Sequence, residues 1–427
     1  MQFRFEFCFA ALFLGKKMNE IEEWLNSRIG LNFRSGLGRM RQAMTLLGNP
    51  EQSFPTIHVT GTNGKGSTIA FMRQLFAGHG RKTGSFTSPH MISIHDRICI
   101  NGQPIAPADF IRLGQEVQKM EQELLKSHDQ LSYFEILTLI ALLYFKEQEV
   151  DLVLIEVGIG GLLDTTNVIT GDIAVISSVG LDHQETLGRN LATIAEQKAG
   201  IFKSGRPAVI GPLPEEARLV CEQRAQELGI ELYQYGRDFS LTNQTFSNPT
   251  MTLSNLELGL KGAYQEENAA LALQAFLLFM QQQGCEVDSA KIRTALRETR
   301  WAGRLEEVSP GIYLDGAHNL PALKRLVEFI QSQNDKECLL LFGALKRKDY
   351  SAMLSYLREA LPDVQLTVTS FSDGDSLGQA EAEGFLYIED YRQLIQNFQE
   401  RQNDNQLLFI TGSLYFIAEV RAYLTSL

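Results

Sequence analysis

Short apolar runs closed by glycine or serine alternate along this chain with longer segments of helical periodicity. The runs PTIHVTG (55–61), GSFTS (84–88), DLVLIEVG (151–158), DIAVISSVG (172–180) and RPAVIG (206–211) have the length and bounding residues of buried strands. Between them, STIAFMRQLFAGHG (67–80) reads as a helix stopped at Gly80. FEILTLIALLYFKEQ (134–148) lacks strand alternation and is long enough for a buried helix. Strands alternating with helices predict an α/β fold, a P-loop-type mostly parallel sheet flanked by helices. Residues 232–260 turn polar and alternate (TMTLSNLELGL), which predicts a small antiparallel excursion before helices over 264–282 and 288–299.

The rhythm restarts after WAGR (301–304). IYLDGAHN (312–319), ECLLLFGAL (337–345), VQLTVTS (364–370), FLYIED (385–390) and QLLFITGS (406–413) are each followed by a helical pattern. This predicts a second, smaller Rossmann-like α/β unit, with domains over 1–299 and 300–427. A length of 427 residues agrees with more than one domain, and 44% hydrophobic with 21% charged residues suits a protein that buries real cores.

Charge narrows the partners. A formal net charge of −12 argues against nucleic acid, whose binders carry a basic face, but leaves anionic small molecules open. The five cysteines are scattered with no C-x-x-C, as expected of reduced thiols in the cytoplasm rather than a disulfide framework or a zinc site. At the start, an apolar run from Phe7 to Leu14 precedes Lys16 and Lys17. It is too short to span a bilayer and has no cleavage site, so residues 1–17 read as an extension ahead of a start at Met18. No other segment suits a membrane, and no apolar stripe demands a partner, so a monomer is expected.

The stretch IHVTGTNGKGST (57–68) carries the first chemistry. A strict P-loop asks for glycine six residues before the lysine and a hydroxyl directly after it. Here those places hold Val59 and Gly66. A strand-to-helix junction still aims backbone N–H groups and a helix N-terminus at one spot, where an anion is stabilised. Gly61, Gly64 and Gly66 let the backbone wrap close, Lys65 reaches phosphates, and Ser67 or Thr68 offers a hydroxyl to Mg²⁺. The bland alternative is a glycine-rich turn with a surface lysine. At other strand ends stand Ser88, Glu156 and His183, a hydroxyl, a carboxylate and an imidazole that suit one metal ion. The histidine in that set is consistent with Mn²⁺ substituting for Mg²⁺.

Eight motifs in order, TGTNGKGS, FTSPH, E-V-G-x-G-G-x-x-D-x-T-N (156–167), GLDH (180–183), EQKAGIFK (196–203), YQEENAALA (264–272), WAGR and LDGAHN (314–319), resemble the folylpolyglutamate synthase family, many of whose members also act as dihydrofolate synthases. The resemblance runs from about residue 34 to TGSLYFIAEVR (411–421). It implies an ATP-dependent ligase that adds L-glutamate to reduced folate or dihydropteroate through an acyl phosphate. It implies that Thr62, Asn63, Gly64, Lys65, Gly66 and Ser67 hold ATP phosphates, and that Asn268, Arg304, Asp315 and His318 contact the nucleotide. Two Mg²⁺ ions are implied, one at Ser88, Glu156 and His183 and one at Ser67 with Glu156. Lys198 matches a lysine that carries a carbamate (N6-carboxylysine). Leu37, Gly38, Arg39, Ser132, Leu163, Asp164 and Thr165 match segments that contact the pterin. Lys65, Lys198 and His318 are the implied catalytic groups. Two departures stand out: Ala302 replaces a usual proline, and Arg347 stands where an acid is common.

Three rivals remain on the sequence. A muramyl-peptide ligase needs a UDP-sugar domain ahead of the P-loop, and only 60 residues precede Gly61. A P-loop kinase or ATPase predicts the strict motif, which fails at Val59 and Gly66. A binding module without catalysis needs neither Glu156 nor His183.

Overall fold

The computed structural model describes residues 20–31, 36–401 and 405–426, so the N-terminal extension and Met18 lie outside the described residues. Eight strands make the larger sheet: β1 (Thr56–Thr60), β2 (Thr83–Phe86), β3 (Ile98–Ile100), β4 (Gln103–Pro104), β5 (Leu152–Glu156), β6 (Ile173–Ile176), β7 (Ala208–Ile210) and β8 (Leu232–Gln234). Their order is β4-β3-β2-β5-β1-β6-β7-β8, parallel except where β3 and β4 fold back at one edge. β1, β5 and β6 are buried along their whole length because helices cover both faces. Side chains alternate between those faces. Leu152 and Leu154 enter a core with the helices Lys65–Gly78 and Tyr264–Gln282, while Val153 and Ile155 enter another with Pro107–Leu124 and Tyr133–Glu147.

Parallel order has a functional consequence. The carboxyl ends of β1, β2, β5 and β6 open at one edge, and the loops that follow them meet there. β1 lies between β5 and β6, with Val59 opposite Glu156 and Thr60 opposite Ile176.

The antiparallel excursion is β9 (Ser240–Thr242), β10 (Thr245–Asn248) and β11 (Met251–Leu253), which sinks Leu241, Phe246 and Leu253 into the first core. It starts later than the polarity change predicts. Residues 232–234 instead extend the large sheet as β8, because the helix Glu215–Leu228 returns the chain alongside β7. The hairpin of β3 and β4 escaped the sequence pattern because its strands are three and two residues long.

The smaller sheet contains β12 (Glu306–Ser309), β13 (Ile312–Leu314), β14 (Glu337–Phe342), β15 (Gln365–Thr369), β16 (Leu386–Ile388) and β17 (Gln406–Thr411), in the order β12-β13-β17-β14-β15-β16. Only β12 runs antiparallel to its neighbour. Among the described residues no helix is long and apolar enough to cross a membrane.

Phe76 lies at the centre of the first core, fully buried, its ring edge-on to Phe276 at 5.0 Å and Phe279 at 5.3 Å. Phe76→Ala is expected to cost about 3–5 kcal/mol, from lost burial and the cavity left behind. The unfolding midpoint in urea, at unchanged m-value, checks it; a loss within about 0.5 kcal/mol would mean the packing relaxes around that position.

Candidate active site

The loop from Gly61 to Gly64 is strapped to the turn after β6. Thr62 N–H donates to the Ser178 carbonyl (3.0 Å) and Asn63 N–H donates to Ser178 Oγ (2.9 Å). The hydroxyls of Ser177 and Ser178 both reach the Asn63 carbonyl, at 2.6 and 2.9 Å. Thr62 Oγ1 accepts from Gly180 N–H (2.9 Å) and donates to the Gly180 carbonyl (3.1 Å). Glycine is required here by crowding. A Cβ on Gly61 would fall 2.0 Å from Ser177 Oγ, and one on Gly64, at φ +88°, 2.3 Å from Asn268 Oδ1. Gly64 caps the helix Lys65–Gly78 without any side-chain bond, so the first N–H groups of that helix face outward with no intrahelical partner.

Gly66 explains the departure from the strict motif. A Cβ there would lie 2.8 Å from Trp301 Nε1. The Trp301 indole, with the Arg73 guanidinium 5.7 Å above its ring, occupies the place that a hydroxyl-bearing residue would need. Ser67 is buried one position on, and Gln265 Nε2 lies 3.5 Å from its Oγ. Gln265 in turn accepts from Asn268 Nδ2 (2.9 Å), so the start of the helix Tyr264–Gln282 seats itself against the loop.

Lys65 Nζ donates to the Gly61 carbonyl (2.9 Å) and lies 3.9 Å from Glu156 Oε1. Glu156 ends β5 in a buried position, and its Oε2 accepts the Ser88 N–H at 3.2 Å. Burial raises its pKa; the Lys65 charge, the Ser88 N–H, Arg304 and Arg97 oppose that rise. Ser88, Glu156 and Lys65 therefore converge. His183, half exposed at φ +48°, makes no hydrogen bond to Ser88 or Glu156, and its Nε2 is 4.0 Å from Asp182 Oδ1. Desolvation, with the charges of Lys348, Lys65 and Lys198, holds its pKa below the usual imidazole value and keeps its lone pair free. Lys198, on the helix Leu191–Ala199, is buried with no carboxylate at ion-pair distance among the described residues. Burial, reinforced by Lys65, brings its amine down to about 7.

From the smaller domain, Asp315 is buried and accepts the N–H groups of Leu305 and Ala317, both at 3.0 Å. Burial raises its pKa against the Arg304 charge. His318 Nδ1 lies 2.8 Å from the Gly316 carbonyl, and burial lowers its pKa to about 4. It is thus a neutral imidazole whose Nδ1–H donates to that carbonyl, leaving Nε2 as an acceptor. Arg304 Nη1 donates to the Gly303 carbonyl (3.0 Å).

The two domains touch at the loop itself. Asn319 caps the helix Leu320–Gln331, and its side-chain amide pairs with that of Asn63 at 3.2 and 3.3 Å. It also donates to Asp182 Oδ2 at 3.0 Å, and Lys348 lies 3.7 Å from Asp182 Oδ1. Ser177, Ser178, Asp182, Asn319 and Lys348 were not singled out by sequence. Asp182 and Asn319 stand inside the GLDH and LDGAHN motifs, which was the available signal.

A third group surrounds Glu135. Arg39 grips this carboxylate through Nη2 at 2.8 Å and Nε at 3.1 Å, while Ser132 N–H donates to it at 2.7 Å and its hydroxyl caps the helix Tyr133–Glu147. Asp164 accepts the N–H groups of Ile159 (2.9 Å) and Thr166 (3.0 Å) and caps the short turn Thr165–Val168. Phe134 and Asp164 both crowd Gly158, which sets residues 132–134 beside 163–165. The charges of Arg39 and Asp164 are satisfied inside the protein. Leu163 is exposed, and Gly38 and Arg39 open onto a cleft of about 600 Å³ with Leu125–Asp129.

If Trp301 dictates glycine at position 66, Gly66→Ala costs about 1–3 kcal/mol of stability. In a Trp301→Leu background that extra cost disappears. A double-mutant cycle from thermal unfolding measures the coupling, and strict additivity would break the link.

Residues 59–276 match the family model of the Mur ligase middle domain, and residues 303–414 match that of the Mur ligase glutamate ligase domain. The chain is 33% identical over 425 residues to dihydrofolate synthase/folylpolyglutamate synthase of Bacillus subtilis, covering 94% of this chain and 98% of that one. Mycobacterium tuberculosis folylpolyglutamate synthase, solved with ADP and AMPPCP, superposes with a TM-score of 0.86 at 27% identity, over 96% of this chain and 99% of that one. The bifunctional folylpolyglutamate synthase/dihydrofolate synthase of Yersinia pestis, solved with AMPPNP and a Mn ion, gives 0.85 at 27% identity, over 96% and 98%. With two family models placed in order and a relative matched from end to end, the chain belongs to the folylpolyglutamate/dihydrofolate synthase family of the Mur ligase superfamily.

Proposed function

We propose that this protein is an ATP-dependent amide ligase that joins L-glutamate to reduced folates and also to dihydropteroate, acting as a monomer in the cytoplasm. The observation that carries the reading is the uncapped, strapped loop of residues 61–67 facing the buried carboxylate Glu156. That site is organised for an anionic substrate that brings its own counter-ions. Membership of the family supports the substrate class.

The chemistry has one obstacle: an anionic carboxylate must approach an anionic triphosphate. Within the loop from Thr62 to Ser67, whose first two N–H groups are engaged by Ser178, Gly64, Lys65, Gly66 and Ser67 present N–H groups to the phosphates, and Lys65 supplies a fixed positive charge. A carboxylate oxygen of the acceptor attacks the γ-phosphorus, the bond to the bridging oxygen breaks, and ADP leaves. The glutamate ammonium loses a proton and its free amine attacks the acyl carbon; the bond to the phosphate oxygen breaks and the nitrogen gives up a second proton, which leaves with the phosphate, giving the amide. Asn268, Asp315 and Arg304 hold the nucleotide from the side of the second domain. Arg304, the cation of that group, steadies the transferring phosphoryl group, and His318 accepts a hydrogen bond at Nε2.

The residues fit divalent ions. Ser88, Glu156 and Ser67 are hard oxygen donors, and the His183 lone pair is kept free. Ser88, Glu156 and His183 would hold one Mg²⁺ or Mn²⁺, and Ser67 with Glu156 a second. When bound, such ions neutralise phosphoryl charge and fix the approach. Leu37, Gly38, Arg39, Ser132, Leu163, Asp164 and Thr165 form the pterin side, where Arg39 and Asp164 act by shaping the backbone.

Lys198 adds a modification. Its free amine attacks CO₂, a proton leaves, and the carbamate would replace a buried cation with an anion able to face bound metal ions.

ADP release with Mg-ATP is expected only when L-glutamate and either dihydropteroate or a reduced folate monoglutamate are both present. Release indifferent to glutamate would return a P-loop kinase or ATPase to the front. Protein equilibrated with ¹³C-bicarbonate should show a carbamate carbonyl signal by NMR. The signal should rise from pH 6 to pH 8 as the Lys198 amine deprotonates through about 7, and be absent from Lys198→Arg. An identical signal in that variant would remove the modification.

A further inference from the structure

The strand that leads into the loop of residues 61–67 carries polar side chains on one buried face. Ile57 and Val59 of β1 enter the first core, so Thr56, His58 and Thr60 take the opposite face of the sheet. On that face the neighbouring strand β5 sinks Val153 and Ile155 among apolar helices. β1 is covered differently, by the segment that follows β5. Thr60 Oγ1 donates to the Gly160 carbonyl at 2.6 Å, and His58 Nε2 lies 2.8 Å from Thr166 Oγ1. His58 is wholly buried, and its Nδ1 is sealed from solvent with no hydrogen-bond partner among the described residues. A buried ring nitrogen left unanswered destabilises the fold, and an apolar residue would fill the same space without that cost.

The hydroxyl of Thr166 tells which way the hydrogen bonds run. It lies 2.5 Å from Asp164 Oδ1, and a carboxylate only accepts, so Thr166 donates its proton there. Its oxygen therefore accepts from His58, which places the imidazole proton on Nε2. Burial, reinforced by the charge of Lys203, brings the His58 pKa down to about 3, so the ring is neutral and holds this tautomer. The result is a directed row, from His58 Nε2–H to the Thr166 hydroxyl to Asp164. Asp164 Oδ2 accepts the Ile159 N–H at 2.9 Å, just beyond Glu156, and its Oδ1 also accepts the Thr166 N–H at 3.0 Å. The turn has no slack: a Cβ on Gly158 would fall 3.1 Å from Asp164 Oδ2 and 2.8 Å from the Phe134 ring. Residues 158–166 are wound around one carboxylate, and His58 fixes the rotamer of the hydroxyl that reaches it.

We infer that His58 is a positioning residue for the pterin-bearing acceptor, acting through Thr166 and Asp164 on the backbone of residues 158–165 without touching substrate. The inference rests on the proposed pterin side at Leu163, Asp164 and Thr165. It gives β1 two tasks: its end carries the loop of residues 61–67, and its polar face sets the loop beside it. Both substrates are then aligned from one rigid strand.

The test uses steady-state kinetics and thermal unfolding of His58→Leu, His58→Gln and Thr166→Val, with dihydropteroate and a reduced folate monoglutamate as acceptors. Both acceptors carry the pterin, so His58→Leu is expected to raise KM for each about 10-fold, with kcat and the KM values for ATP and glutamate unchanged. His58→Gln, whose amide N–H donates to the same hydroxyl, restores KM for both. Thr166→Val raises acceptor KM to the same extent, and adding His58→Leu to it changes nothing further, because the link is already gone. Should His58→Leu yield no folded protein, Thr166→Val carries the same expectation and its KM decides. Removing a half-answered buried imidazole leaves the melting temperature level or raises it, whereas a residue needed only for the fold lowers it. Unchanged acceptor KM values, a rise that His58→Gln fails to restore, full additivity with Thr166→Val, or a fall in melting temperature with every kinetic constant shifting together overturns the inference. Leu163→Asp, made on the pterin side itself, is the control: unchanged acceptor KM there overturns the placement of the pterin rather than the role of His58. Wild-type protein with no glutamate- and pterin-dependent ADP release would instead overturn the ligase reading, before any variant is compared.

Discussion

The backbone of Asn63 is clamped at both its N–H and its carbonyl by the hydroxyls of Ser177 and Ser178, and the site is organised around that clamp. A loop rich in glycine would otherwise lose its shape to conformational entropy. Holding one residue by both of its flanking peptide groups, between the ends of two parallel strands, fixes the start of the following helix and keeps its first N–H groups facing out. Neighbours then fill the space so closely that Gly61 and Gly64 admit no side chain. The loop is preorganised before any ligand arrives, which is the condition under which backbone dipoles contribute most to stabilising developing charge.

Charge is arranged around this loop with little waste. Glu156 and Asp315 are buried carboxylates that burial pushes toward protonation and nearby cations push back. Lys65 is shared between the loop carbonyls and Glu156, and it also depresses the amine of Lys198. In a water-poor cleft such terms are stronger than at the surface, so one ligand charge alters several neighbours at once. The amide pair of Asn63 and Asn319, with Asp182 and Lys348 beside it, carries the same network into the smaller domain. The smaller domain is therefore joined to the loop of residues 61–67 through direct contacts.

Much of this was legible in the sequence. β1, β5 and β6 announce themselves because strands buried on both faces are unbroken apolar runs, and the loop at 61–67 announces itself by its glycines and lysine. What stayed hidden depends on tertiary docking. Gly66 looks like a defect in a motif until Trp301, distant in sequence, is seen over it. Glu135 carries no motif, yet it joins Arg39 to Ser132. His58 reads as one polar residue in a buried strand until the turn that covers it, and its unpartnered Nδ1, are known. β8 was placed in the antiparallel excursion because three residues give too little periodicity to tell one sheet from the other.

The most direct test of the account follows oxygen rather than rate. Acceptor labelled with ¹⁸O in the carboxylate that reacts is turned over with unlabelled ATP and L-glutamate, and the released phosphate is analysed by mass. An acyl phosphate requires one labelled oxygen to leave with each phosphate, while the other stays in the amide. Phosphate carrying no label, with ADP still released, would mean that the acceptor carboxylate never attacks phosphorus and would contradict the ligase mechanism.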